Sequence, residues 1–231
     1  MEGLSLTLVN YSGKEKSFKV PDEVTKIREF AFRSNKDIKS VVVPNSVQKI
    51  GEGAFSFCDN LENIHLSQNI TEIEERTFFK CINLHSIIIP ESVTSIGKLA
   101  FYECKNLASV ELSSGLKVIS ATAFYSCTNL KCIKIPDTVT RIEEFAFSYC
   151  CNLKEVILLQ NLSTICDNVF SNCRSLESII IPKSVKYIGN NAFENCPKLK
   201  IKCYPQSDAI LYLKRARVEF ELIDKNLDKE K

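Results

Sequence analysis

Tryptophan is missing from this 231-residue chain, methionine appears once, and histidine occurs only twice, at His65 and His85. Neither histidine sits in an H-E-x-x-H, and Cys–His catalysis would need a pair within hydrogen-bond reach plus an orienting group. G-x-G-x-x-G, the P-loop and G-x-S-x-G are also absent, so dinucleotide, phosphate-cradling and hydrolase chemistry have no local signature. No charge sign prevails: the net charge is +2, which implies no general pull towards nucleic acid or anionic lipid. No apolar run approaches the roughly 18–20 residues of a membrane helix. The stretches beginning Ser40-Val-Val-Val and Glu155-Val-Ile-Leu are typical of the longest. The N-terminal MEGLSLTLVNYSGKEK has no basic leader, and its apolar stretch is short and polar-interrupted. No signal peptide is expected, and with it a cytoplasmic location.

What the chain has instead is a period. Phe32, Phe55, Phe78, Phe101, Phe124, Phe147, Phe170 and Phe193 recur at a constant step of 23. Isoleucine keeps the same step from Ile27 to Ile188, and leucine from Leu61 to Leu199, with Ile38 standing in once. Self-similarity this strict marks a repeat architecture. A slower rhythm of 46 overlies it: Pro44, Pro90, Pro136 and Pro182 alternate with Ser67, Ser113 and Leu159. The proline repeats continue Ser-Val or Thr-Val, and those between read Asn69-Ile70, Gly115-Leu116 and Asn161-Leu162. Proline fixes φ, whereas Asn and Gly tolerate positive φ, so two backbone routes round one corner are expected.

One unit reads L-x-x-I-x-I-P-x-S-V-x-x-I-G-x-x-A-F-x-x-C-x-N. Its first stretch is short, β-branched and stopped by proline, as a strand should be. A second apolar pair lies beyond the corner, and A-F-x-x-C suits a short helical turn. No unit can hide these side chains alone; stacked about 4.8 Å apart they form a continuous core. The expected fold is a mainly β repeat solenoid: stacked short strands, helical turns on the other faces, and capped ends. Residues 1–14 are read as an N-terminal cap, with 4–9 and 15–20 flanking Tyr11-Ser-Gly-Lys as a hairpin. Residues 15–198 hold eight repeats, and 199–224 form a C-terminal cap of strand, helix from Ser207, and strand. The whole of 1–224 makes one domain, and 225–231 form a charged, disordered tail.

The quoted unit resembles the BspA-like leucine-rich repeats of the treponemal 23-residue subtype, over residues 15–199. The terminal KCYPQSDAILYLKRARVEFELI looks like the cap that closes such arrays. The resemblance implies a curved solenoid with its parallel sheet on the concave side. It also implies non-enzymatic binding, family members being surface antigens or adhesins that contact host proteins or other cells.

Candidate chemistry is thin. Seven cysteines keep the repeat step (Cys58, Cys81, Cys104, Cys127, Cys150, Cys173 and Cys196). A ladder of one thiol per layer cannot converge on a metal, and no C-x-x-C occurs, so the reading is small buried hydrophobes without disulfides. Cys132, Cys151, Cys166 and Cys203 lie outside the ladder, and one of them is a candidate reactive thiol. Glu74, Glu75, Glu143 and Glu144 fall on variable turn positions as solvated charge. Lys214, Arg215 and Arg217 end the cap helix, where cations complement the dipole. No metal, cofactor, nucleic acid, small-molecule substrate or catalytic residue is expected, and the protein is read as not an enzyme.

Two surfaces remain. The residue after the core phenylalanine is Phe79, Tyr102 and Tyr125 in three successive units but Ser56, Ser148, Ser171 and Glu194 in four others. That flank patch is either an interface anchor or local packing between turns. On the strand, alternation turns the residue between the last two aliphatics outward. That row reads Val42, His65, Ile88, Glu111, Lys134, Ile157 and Ile180, with Ser40, Asn63, Ser86, Ser109, Cys132, Glu155 and Ser178 two positions earlier. Strand propensity explains its β-branched members; an apolar face with a polar centre equally suits recognition. The expected function is a protein-binding module presenting this concave row to a partner. It acts either as a cell-surface adhesin or as an intracellular scaffold or regulatory subunit docking an enzyme. Carbohydrate binding is disfavoured, since tryptophan is absent and the row is not aromatic.

Overall fold

The computed structural model describes residues 5–223, so the charged tail expected at 225–231 lies outside the described residues. Two rows of short parallel strands run the length of the molecule. The first row holds Ser17–Lys19, Ser40–Val42, Asn63–His65, Ser86–Ile88, Ser109–Glu111, Cys132–Lys134, Glu155–Ile157 and Ser178–Ile181. Its register repeats the period, with Ser40 opposite Asn63 and Cys132 opposite Glu155. In each strand the middle aliphatic points inward and its neighbours outward, as pleating requires; Ile87, Ile133 and Val156 are buried between exposed residues. The second row, from Val24–Ile27 to Tyr187–Ile188, carries the repeated isoleucine. Its central strands pair two residues at a time, Val118-Ile119 against Arg141-Ile142 for example.

The corner between the rows is a single design. Val47, Val93, Val139 and Val185 N–H donate to the proline carbonyls three residues earlier, at 2.9–3.2 Å. Leu116 and Leu162 donate likewise to Ser113 and Leu159. Asn69, Gly115 and Asn161 do not adopt positive φ, which corrects the expectation of two routes. Where proline is missing, Ser67 and Ser113 Oγ accept the N–H of Asn69 and Gly115 at 3.1 and 3.0 Å, a side-chain substitute for proline's fixed φ.

Proline acts instead on the strand before it. The residue preceding proline is biased to extended backbone. Val43, Ile89 and Ile135 accordingly continue the ladder, donating to the carbonyls of His65, Glu111 and Ile157 at 2.8–2.9 Å. Among the described residues no such bond runs from Leu66 or Leu112. Strand pairing is interrupted after just these repeats, between Asn63–His65 and Ser86–Ile88 and between Ser109–Glu111 and Cys132–Lys134.

The third face holds A-F-x-x-C, and no α-helix forms there; the backbone runs through consecutive turns. Each coil places two residues in the left-handed region, four apart: Phe30 and Ser34, Gly53 and Phe57, Arg76 and Lys80, and so on to Asn191 and Asn195. For a residue with a side chain this conformation costs about 1–2 kcal/mol. It is held because it aims alternate N–H groups at the next coil. Phe30, Phe32 and Ser34 donate to the carbonyls of Glu52, Ala54 and Ser56 at 2.7–2.9 Å, and later coils repeat the pattern.

Inside, the repeated phenylalanines form one stack with centroids 4.7–5.8 Å apart from Phe32 to Phe193. Each repeat thiol donates to the phenylalanine carbonyl of the coil before it, Cys58 to Phe32 and Cys104 to Phe78 at 3.0 and 3.1 Å. Asn106, Asn129 and Asn152 continue the bonding between coils, each Nδ2 reaching the Oδ1 of the equivalent asparagine in the coil before, Asn83, Asn106 and Asn129.

The N-terminal hairpin does not form. Leu6–Leu8 pairs parallel with Val24–Ile27, and Ser17–Lys19 pairs parallel with Ser40–Val42. The segment is a partial extra coil of the same hand, with the Tyr11 ring 4.9 Å from Phe32 where an earlier phenylalanine would lie. At the other end Lys200–Cys203 continues the first row, Phe220–Leu222 pairs parallel beyond it, and a helix at Ala209–Arg215 connects them. Ala209 and Leu213 are buried, and Tyr212 meets Phe193 edge-on at 6.5 Å.

Removing residues 199–231 uncovers the Phe193 and Ile179–Ile181 layers, where each aliphatic or aromatic side chain is worth about 1.5–3 kcal/mol of burial. The truncated chain is expected to aggregate or lose its sharp thermal transition in circular dichroism. A soluble 1–198 fragment that melts cooperatively would show that these residues do not close the core.

Candidate functional site

Val42, His65, Ile88, Glu111, Lys134, Ile157 and Ile180 all lie on the first strand row with their side chains exposed. Ile88 is 64% exposed and Ile180 50%, and each is paired on one side, with Glu111 and Lys202. Val42 stands opposite His65, Ile88 opposite Glu111, and Lys134 opposite Ile157. The row extends further than the sequence period indicated: Lys19 precedes it, Lys202 pairs with Ile180, and Glu221 pairs with Lys202. Its signal was the alternation in Lys-Ile-Lys-Cys, hidden because the step from Ser178 to its partner Lys200 is one short of the period.

The interruptions in strand pairing make this row uneven. At the first of them, between His65 and Ile88, a shallow cavity of about 260 Å³ is lined by both strands together with Leu66 and Gln68. The second separates Glu111 from Lys134. Beyond the third proline-free repeat the strands stay paired, but the pairing ends at Val156 and Ile179, one residue short of Ile157 and Ile180.

On the flank, Phe79, Tyr102 and Tyr125 stack face to face with centroids 5.0 Å apart. The stack is longer than those three. Phe57 meets Phe79 edge-on at 5.2 Å, and Tyr149 tilts against Tyr125 at 5.3 Å. Both added residues sit one step out of phase with the other three, on left-handed positions, and sequence reasoning missed them. The available clue was asparagine at the equivalent places, Asn172 and Asn195, and glycine or asparagine at the other left-handed position, Gly53, Asn168 and Asn191. Burial raises the phenol pKa of Tyr102 and Tyr125 above the ordinary value, so packing between coils accounts for part of this group.

All eleven cysteines are free thiols. Burial pushes Cys58 up to about 12, and Cys166 and Cys196 up to about 11. It holds Cys81, Cys104, Cys127, Cys150 and Cys173 well above the usual thiol range. A nucleophilic thiol needs the opposite shift. Among the described residues no group of three His, Cys, Asp or Glu could hold a metal ion, and no helix is long and apolar enough to cross a membrane. Lys214 and Arg215 occupy the last turn of the cap helix, the placement that complements its dipole.

The model for the BspA type leucine rich repeat region matches residues 9–98 and 71–200. No curated protein is similar enough in sequence to match. Among solved structures, a leucine-rich repeat protein of T. pallidum is 31% identical at TM-score 0.70, over 74% of this chain and 82% of that one. A leucine-rich repeat protein of Eubacterium ventriosum is 23% identical at TM-score 0.50, over 87% of this chain and 66% of that one.

Thiol burial makes a test of the solenoid. Alkylating the folded protein should label exposed Cys132 first and half-buried Cys151 and Cys196 more slowly. Cys58, Cys81, Cys104, Cys127, Cys150 and Cys173 should react only after unfolding, as read by peptide mass spectrometry. A ladder thiol reacting as fast as Cys132, or two ladder thiols linked to each other, would contradict this packing.

Proposed function

The chain belongs to the BspA-type leucine-rich repeat family, and from that premise we propose that it is a non-catalytic interaction module holding a partner protein on its first strand row. The observation that carries this reading is the exposure of Ile88 at 64%, on a strand whose inward residue, Ile87, is buried in the core. The repeat frame fixes the inward positions of each strand, so on the strands the outward residues are the ones free to vary. Ile88, Ile157 and Ile180 flank Glu111 and Lys134, an apolar surface with orienting charge near its centre. At about 4.8 Å per strand the four residues from Ile88 to Ile157 span roughly 15 Å, enough for the core of a standard interface. A rigid stacked backbone loses little conformational entropy when a partner lands on it.

The partner is a protein rather than a nucleic acid or a small molecule: the row carries mixed charge, and its openings are shallow. A surface adhesin and an intracellular scaffold are two settings for the same face, and antibody labelling of intact against permeabilised cells separates them.

Replacing Ile88 and Ile157 together by Asp should weaken capture of the partner several-fold or more and leave the melting temperature nearly unchanged, since neither side chain is in the core. Phe79, Tyr102 and Tyr125 changed together to Ser serve as the control. If the strand-row variant binds normally and the flank variant does not, the face has been assigned wrongly.

A further inference from the structure

The aromatic flank has a gap. Ser56 occupies the place in its coil that Phe79, Tyr102 and Tyr125 fill in the next three. Beside it is a cavity of about 290 Å³ whose lining includes Phe30, Phe57, Phe79, Ser56 and Arg33. That volume is near the lower limit of pockets that enclose a small ligand, and suits one ring rather than a whole molecule.

Three further observations single out this gap. The Ser56 side chain is 2% exposed and its Oγ has no hydrogen-bond partner among the described residues, whereas the equivalent Ser148 and Ser171 hydroxyls bond each other at 2.7 Å. Phe30 and Phe57 both stand on left-handed backbone, and Phe30 is 39% exposed. Bonding between coils accounts for the turn there, but burial does little to account for a phenylalanine at it. The Phe30 ring lies in the space that a Cβ on Gly53 would fill, next to Ser56 Oγ. Finally, Arg33 places its guanidinium over two rings, 5.3 Å from the Phe30 centroid and 5.7 Å from that of Phe57, at the edge of the gap.

We propose that this gap is a socket for an aromatic side chain, preferably tyrosine, supplied by a protein partner. The entering ring takes the place that Ser56 leaves empty in the stack and packs against Phe57 and Phe79 in the offset or edge-on arrangements that rings prefer. Arg33 adds a cation over its face. A phenol that displaces the Phe30 ring brings its hydroxyl to Ser56 Oγ and gives that buried group its missing partner, which phenylalanine cannot do. The socket rests on the reading of the chain as a protein-binding module, but it lies on a different face from the Ile88 row and fails or stands separately.

The test uses N-acetyl-tyrosinamide and N-acetyl-phenylalaninamide as probes of the full chain, followed by backbone amide shifts in NMR. Both probes should perturb Ser56, Phe57 and Phe79 saturably in the millimolar range, with tyrosine the tighter by about threefold or more. Ser56→Ala should remove the difference between the probes while keeping binding. Ser56→Tyr, which continues the native stack with the residue of the later coils, should abolish both. The Ile88→Asp, Ile157→Asp variant should bind both as wild type does. No saturable shift at the socket, or shifts that persist in Ser56→Tyr, would overturn the proposal. So would binding to phosphatidylcholine vesicles that Ser56→Tyr removes, since that assigns the flank to a lipid surface.

Discussion

Every feature of this molecule depends on main-chain bonding between each coil and the next. On the third face Phe32, Phe55, Phe78 and Phe101 donate forwards to the carbonyls of Ala54, Thr77, Ala100 and Ala123, at 2.7–2.9 Å. On the second strand row Gly51 and Gly97 N–H donate backwards to Ile27 and Ile73 at 2.9 and 2.7 Å. Opposed directions on two faces lock each coil against both neighbours. Once the backbone is locked, an inward side chain can only meet its own equivalent above and below, so the core is a set of identical ladders. A flat ring stacks on its copy without a void, and a small thiol fits under a carbonyl. Tolerance of fifteen non-glycine residues in left-handed backbone on this face measures how strongly the bonding is enforced. Each costs something alone, and all but Asn191 and Asn195 of the last repeat deliver an N–H to the next coil.

A ladder of this kind has no natural end, and the termini show how the cost is met. At the start, Tyr11 replaces phenylalanine in the stack and its hydroxyl donates to Glu15 at 2.6 Å, keeping an apolar face inward and a polar tip in water. At the finish the chain leaves the repeat, runs one more strand, and lays Tyr212 and Leu213 of a helix over the last layer. Ion pairs such as Lys39–Glu62 and Lys80–Glu103 also join equivalent positions of adjacent coils, but they are exposed and add little to stability. Burial and backbone bonding hold the coils.

The period, the buried ladders, the outward strand row and the strand, helix and strand after the last repeat were all legible in the sequence, because each is a side-chain pattern. What was not legible is backbone conformation. Phe30, Leu99 and Glu103 sit in left-handed geometry that no propensity assigns to them; inter-coil bonding overrides local preference. The N-terminal misreading has the same root. Leu-Ser-Leu-Thr-Leu-Val and Glu-Lys-Ser-Phe-Lys-Val around Tyr-Ser-Gly-Lys form a local hairpin pattern, yet each strand finds a better partner one coil further on, where a template already exists. Of the flank, Phe79, Tyr102 and Tyr125 could be found by counting, whereas Phe57 and Tyr149 join it only because a left-handed turn brings an out-of-phase residue to the same place.

The slower, two-repeat rhythm connects this backbone logic to recognition. Proline does not alter the corner; it keeps the preceding residue extended, and Val43, Ile89 and Ile135 thereby close the strand row towards the next coil. Leu66 and Leu112, without proline after them, leave it open. A uniform repeat would present a smooth sheet with one side chain about every 4.8 Å. The alternating repeat presents paired strands separated by openings, with His65 and Ile88 at one and Glu111 and Lys134 at the next. At the first of them the side chains stand against a shallow cavity rather than a closed ladder. Duplication of a two-repeat unit therefore does more than lengthen the array: it sets where pairing along the strand row is interrupted.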